Sequence, residues 1–258
     1  MNMIDFNNKT ILLTGGSSGI GKALVISLCK LNANIIVIGK RQEIPLEFVG
    51  ESKINYHSID LSDPNASDRI IELLHAPIDI FISNAGIAFN KNFQSTTEYE
   101  ILQQLNVNLY STIILTKKIL SNKLLKVGGN MIYLSSLSGV YPMANLALYC
   151  TSKFGIEGFV RSIKLELKTR AKVTLVYPGI TMTEFFDKAN MNEFKEYLKK
   201  HPYAFHTPER VANEILEKID RDIIVIGSDK IYLRFERFIP NKLKPTFLAF
   251  TSLFNHVF

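Results

Sequence analysis

The chain has 258 residues, 47% of them apolar and 21% charged, with a net charge of +6. That is enough for a sizeable core in one large α/β domain or two small ones, and no segment is both highly charged and poor in aromatics, which excludes a disordered chain. Two cysteines, Cys29 and Cys150, exclude a disulfide framework and favour a reducing compartment. No run of about 18 apolar residues suits a spanning helix, and MNMIDFNNK lacks the pattern of a secretion signal, so the expected location is cytoplasmic. The mild positive charge suits a polyanionic cofactor or an anionic membrane before it suits nucleic acid.

Apolar runs of strand length alternate with longer amphipathic stretches. The first run, Thr10–Thr14, leads into Gly15, Gly16, Ser17, Ser18, Gly19, Ile20 and Gly21, then a helical pattern over Lys22–Leu31. A strand, a glycine loop and a helix in that order turn backbone N–H groups and the positive helix end toward a pyrophosphate. Gly15 permits the tight turn, Gly19 a close phosphate approach, and Gly21 the packing of helix on strand.

The second run, Asn34–Ile38, is followed by Gly39, Lys40 and Arg41. An acid at such a strand end would accept hydrogen bonds from adenosine ribose hydroxyls and repel a 2′-phosphate. Two cations stand here instead, suited to NADP(H) in preference to NAD(H), although Glu43 weakens the field and an ordinary solvated turn is the plainer reading. The segment that follows is short and holds Pro45 and Gly50, too little for a full helix. The third run, Ile54–Ile59, precedes Asp60 and Leu61; the fourth, Ile78–Ser83, precedes Asn84, Ala85 and Gly86. A long helical pattern over Thr97–Leu125 contains Asn106 and Asn108. The fifth run, Met131–Ser135, is followed by Ser136, and a helix over Tyr149–Thr169 carries Tyr149, Cys150 and Lys153. The sixth, Lys172–Tyr177, runs into Pro178, Gly179, Ile180 and Thr183, and a helix over Pro208–Ile219 leads to a seventh run, Ile223–Ile226. Continuous apolar strands alternating with helices predict a Rossmann-like, doubly wound, seven-stranded parallel sheet with helices on both faces, in one domain over residues 1–229.

These motifs, in this order and each at a strand end, resemble the short-chain dehydrogenase/reductase family in its short single-domain branch. The likeness covers roughly residues 8–226: TGxxxGIG at 14–21, the NAG segment at 84–86, YxxxK at 149–153 and PGxxxT at 178–183. It implies an oxidoreductase moving a hydride between a nicotinamide dinucleotide and an alcohol or carbonyl carbon. Tyr149 would be the general acid/base, Lys153 would tune it and grip the nicotinamide ribose, Ser136 would polarise the carbonyl, and Asn108 would hold a proton-relaying water. The resemblance also implies that Asp60 and Leu61 flank the adenine, that Asn84, Ala85, Gly86, Pro178, Gly179, Ile180 and Thr183 line the cofactor, and that the protein is a homodimer or homotetramer. The chain departs from the family pattern at Ser83, where asparagine is common, at Ser111, where glycine is common, and at Cys150, which reads as a small packed residue rather than a reactive thiol.

The chemistry agrees with the roles. A tyrosine of pKa about 10 is a poor acid–base catalyst at neutral pH, and a cation beside it favours the phenolate. Lys153 is one helical turn beyond Tyr149 and shares its face. A serine fixed at a separate strand end stabilises charge growing on the substrate oxygen. A non-catalytic dinucleotide sensor is the competing reading, disfavoured because a retired site has no physical need for all four side chains. A sugar-nucleotide epimerase fits less well, for lack of a separate substrate domain. No metal ligand set is expected.

Tyr141 and Met143 are placed to wall the substrate pocket, and 184–206 to form a lid whose aromatics, with Phe185 and Phe186 nearest the site, suit an apolar substrate or simply pack the lid. In 230–258, Lys230, Arg234, Arg237, Lys242 and Lys244 face only Glu236, and Phe247, Phe250, Phe254 and Phe258 form a stripe at helical spacing. Such a tail docks on this subunit, on a neighbour or on a membrane surface.

Overall fold

The computed structural model describes residues 4–201 and 205–226. Seven strands form one parallel sheet in the order β3-β2-β1-β4-β5-β6-β7. They are β1 (Thr10–Thr14), β2 (Asn34–Gly39), β3 (Ile54–Ser58), β4 (Ile78–Ser83), β5 (Leu125–Leu134), β6 (Lys172–Pro178) and β7 (Ile223–Ile226). All six residues of β4 are buried, as a central strand covered on both faces requires. On one face α1 (Gly19–Lys30) and α8 (Pro208–Glu217) pack together over Leu13, Val37, Ile82 and Val176. On the other lie α2 (Ala66–Glu72), α4 (Ser111–Ser121) and α5 (Ala147–Leu167), over Leu12, Phe81, Met131 and Tyr133. The sequence expectation of a doubly wound sheet is met.

The strand order reverses between β1 and β4, which lie side by side. Crossovers run opposite ways from that point, so the strand ends there open a crevice. The loops after β1, β2, β4, β5 and β6 converge on it.

Several boundaries differ from the sequence expectation. The pattern over Thr97–Leu125 is not one helix: α3 (Glu98–Leu105) passes through a π-turn at Asn106–Tyr110 into α4, and the chain is already in β5 at Leu125. Lys123, with φ 56°, closes the helix. β5 starts six residues before Met131, with a mostly exposed first half that carries no continuous apolar run; it ends at Leu134, leaving Ser135 outside. Between β2 and β3 there is one turn of 3₁₀ helix at Leu46–Phe48, in keeping with Pro45 and Gly50. The lid holds two helices, α6 (Phe185–Lys188) and α7 (Asn192–Lys200). The lid residue Tyr203 and the tail 230–258 lie outside the described residues.

Candidate active site

The loop from β1 to α1 is shaped by close packing. A Cβ on Gly15, which has φ +70°, would stand 2.7 Å from Ala85 Cα, and one on Gly21 would strike the Gly15 carbonyl. Thr14 Oγ1 accepts from the backbone N–H of Asn84 at 3.1 Å and of Ala85 at 3.3 Å, and Asn84 Nδ2 donates to the carbonyls of Thr14 and Gly15, both at 3.0 Å. The glycine loop and the 84–86 segment are thus one unit. No side chain caps the first turn of α1 and no acid lies in it, so the chain itself offers that helix end no anion. This suits a pyrophosphate. Gly16, which the sequence reading left without a role, packs its Cα against Val37 and Leu13.

Around the reversal point lies a cleft of about 1490 Å³. Every residue expected to line the cofactor is on its wall: Gly15, Ser17 to Gly21, Lys40, Arg41, Asp60, Leu61, Asn84 to Gly86, Tyr149, Lys153, Pro178 to Ile180 and Thr183. So are Ser136, Tyr141, Met143, Phe185 and Phe186. Its residues fit a dinucleotide laid across the strand ends.

Tyr149 and the Ser136 side chain stand together on the wall of the same cleft. Ser136 Oγ accepts the Ser138 N–H at 3.1 Å, which fixes its rotamer. Burial pushes the Tyr149 phenol up to about 12, with the Ser136 side chain pulling the other way. The spacing argument expected Lys153 to dominate and lower it. Instead the Lys153 ammonium lies 5.8 Å from the Tyr149 ring centroid and donates to the Leu134 carbonyl at 2.9 Å. Burial lowers Lys153 to about 8.

Asn108 is buried within the π-turn. Its amide donates to Ile87 O at 2.8 Å and Ser152 Oγ at 3.0 Å, and its Oδ1 accepts the Ile87 N–H at 2.8 Å. A Cβ on Gly86 would make ordinary contact with Lys153 Nζ at 3.6 Å and Asn108 Oδ1 at 3.7 Å, so Gly86 borders the corner those two side chains share. Asn106 is only partly buried. The departures from the family pattern are packed away: Ser83 and Thr112 hydroxyls share a bond of 2.8 Å, and Ser111 donates to Val107 O at 2.8 Å. Cys150 is buried beside the Tyr141 carbonyl, and burial raises its thiol.

Over the substrate end, the Phe185 ring sits 5.4 Å from that of Tyr149 and 6.0 Å from Phe186, which in turn meets Phe194 at 5.6 Å. Ser138, Leu146 and Lys188 also line the cleft, although no sequence motif marks them. Among the described residues no group of three or more His, Cys, Asp or Glu could hold a metal ion.

The family model described as short chain dehydrogenase matches residues 9–193, and the chain belongs to that family. It is 30% identical over 214 residues to 3-oxoacyl-(acyl-carrier-protein) reductase FabG of Rickettsia prowazekii, covering 81% of this chain and 88% of the relative. It is 29% identical to L-xylulose reductase of Caenorhabditis elegans, over 82% of this chain and 88% of that one. Its fold matches a short chain dehydrogenase/reductase from Burkholderia phymatum in complex with NAD, at TM-score 0.78 and 14% identity over 91% of this chain and 94% of that one. As a family member it is an oxidoreductase acting on an alcohol or carbonyl carbon with a nicotinamide dinucleotide.

Proposed function

We propose that this protein is an NADP(H)-preferring reductase or dehydrogenase of an apolar ketone or alcohol, with Tyr149, Lys153, Ser136 and Asn108 as its working side chains. The observation carrying this reading is the placement of Tyr149, Ser136 and Lys153 on the wall of the same cleft as the glycine loop. The bound dinucleotide would supply or accept the hydride, held by the 15–21 loop, Asn84 to Gly86, Lys153 and the 178–183 segment.

The chain's own residues handle the proton and the oxygen. With its phenol near 12, Tyr149 is neutral at physiological pH and able to donate a proton to an oxygen that gains charge. Ser136, its rotamer fixed by the Ser138 N–H, offers that oxygen a second donor. Lys153 is mostly an ammonium at neutral pH and favours the phenolate left after the transfer. Asn108 positions rather than reacts: its bonds to both backbone groups of Ile87 fix the strand-end loop facing Lys153.

Support for NADP(H) is the pair Lys40 and Arg41 where an acid would favour NAD(H). Support for an apolar substrate is the wall of Met143, Leu146, Phe185, Phe186, Met191 and Phe194. A ketose such as the xylulose in the name of one relative would leave hydroxyls unpaired against these groups; the 3-oxoacyl chain in the name of the other suits them.

Steady-state reduction of 3-oxoacyl thioesters and ketoses, each with NADPH and NADH, tests the reading. It expects the highest kcat/KM for an acyl substrate with NADPH. An equal or higher value with NADH discards the cofactor preference, and a ketose preference discards the apolar substrate.

The remaining readings are residues 1–229 as one catalytic domain in a cytoplasmic homo-oligomer, with the basic, phenylalanine-striped tail of 230–258 docking on protein or a membrane. Among the described residues no helix is long and apolar enough to cross a membrane. Co-sedimentation with anionic liposomes, with and without residues 245–258, separates the tail's two destinations: equal recovery in the supernatant discards the membrane.

A further inference from the structure

Both cations after β2 have carboxylate partners. Lys40 Nζ lies 2.8 Å from Asp60 Oδ2, and Arg41 is paired with Glu184. Asp60 follows β3 and is a local neighbour, but Glu184 comes from the other half of the sheet and opens the lid. Its backbone is well placed to reach across. Met182 N donates to His206 O at 2.9 Å and His206 N to Ile180 O at 2.8 Å, pinning the two ends of the lid together. The next residue, Thr183, stands over the glycine loop: a Cβ on Gly19 would be 3.1 Å from Thr183 Cγ2. Glu184 then extends to the nucleotide side of the cleft, and Lys188, one turn along α6, also approaches its carboxylate at 3.2 Å. Partial burial works against ionisation of Glu184, yet Arg41 and Lys188 hold its carboxyl below the usual range.

We propose that Glu184 is a specificity-determining residue, whose carboxylate competes with a 2′-phosphate on the adenosine ribose for the Arg41 guanidinium. This rests on reading Arg41 as the 2′-phosphate contact. The charges of Lys40, Arg41, Asp60 and Glu184 cancel, so the two cations alone overstate the pull on a phosphate. The Arg41–Glu184 pair is about half exposed on both sides, which makes it weak and exchangeable. A dianionic phosphate is the stronger partner for a guanidinium fork. On exchange Glu184 keeps Lys188, so no charge is left alone. Glu184 thus sets how strongly this site separates the two dinucleotides, and the same exchange frees the first residue of the lid from the nucleotide side.

Calorimetric dissociation constants for NADPH and NADH at low ionic strength, on the wild type, Glu184→Gln, Arg41→Ala and the double variant, test this. Glu184→Gln is expected to shift the NADH/NADPH ratio of constants about two- to fivefold toward NADPH, the range of an exposed ion pair. The shift should vanish when Arg41 is alanine and shrink with added salt. A ratio unmoved by Glu184→Gln, or moved equally without Arg41, overturns the proposal. A wild type that prefers NADH but still shifts toward NADPH on Glu184→Gln sinks the cofactor preference and supports the role of Glu184. A wild type that prefers NADPH with an unmoved ratio does the reverse.

Discussion

Lys153 and Tyr149 share one face of α5, with the ammonium 5.8 Å from the phenol ring centroid and its hydrogen bond given to the Leu134 carbonyl. The lysine is therefore anchored to the end of β5 rather than to the tyrosine. Two titratable groups in one cleft, Lys153 buried and Tyr149 partly buried, both displaced from their ordinary values, mark a working site more than a structural one.

Replacing the phenol tests the proton donor. Tyr149→Phe keeps the ring beside Phe185 and removes only the hydroxyl, so dinucleotide binding should persist while kcat falls by about 10²–10⁴-fold. Fluorescence titration gives the first quantity and nicotinamide absorbance the second. Undiminished turnover would point to another acid.

The lysine should leave a signature in stability against pH. Burial depresses Lys153 from 10.5 to about 8, so the fold favours its neutral form. Below pH 8 the lysine is charged in both folded and unfolded chains and its full penalty applies. Between 8 and 10.5 the unfolded chain binds the extra proton, and stability rises with pH. Lys153→Met should therefore be more stable than wild type at pH 7, by about 3 kcal/mol, with the gap narrowing toward pH 10. Urea titrations across that range should show the two curves converging; parallel curves count against a desolvated ammonium.

The glycine loop predicts a contrast between two alanine substitutions. At Gly15 a methyl meets the backbone of Ala85 at a positive φ, so Gly15→Ala should cost about 3 kcal/mol and abolish nucleotide binding. Gly50 has φ +82° but nothing within 4 Å of an added Cβ, so Gly50→Ala should cost about 1 kcal/mol and leave binding intact. Thermal melts with and without dinucleotide distinguish them.

The π-turn makes two asparagines unequal. Asn108→Ala leaves both backbone groups of Ile87 without their side-chain partner in a buried corner and should cost about 3 kcal/mol. Asn106→Ala, at a partly buried position, should stay within about 0.5 kcal/mol of wild type. Equal losses in denaturant midpoint would contradict the assignment of Asn108.

What the sequence disclosed followed local rules. The apolar run of β4 and the glycines after β1 declare themselves through periodicity and backbone freedom, and the placement of Ser136, Tyr149 and Lys153 follows once strand ends are known to converge. The early start of β5 was hidden because Lys126 to Asn130 hold one apolar side chain, Val127, two glycines and two polar residues, so no apolar run announces them. The break between α3 and α4 was hidden because Asn108 bonds to Ile87, 21 residues away, and a helical pattern does not register such a partner. The pairing of Arg41 with Glu184 spans 143 residues and has no local trace at all.

The side-by-side placement of β1 and β4 also governs the order in which the protein can be made. Thr14 finds the N–H groups of Asn84 and Ala85 only after some 70 further residues have been synthesised. Until then β1 has one bare edge, beside its apolar residues Ile11, Leu12 and Leu13. Non-local pairing of this kind is slow to form. The nucleotide cradle is thus a late product of folding, and an amino-terminal fragment ending before Ile78 would hold the glycines without the segment that shapes them.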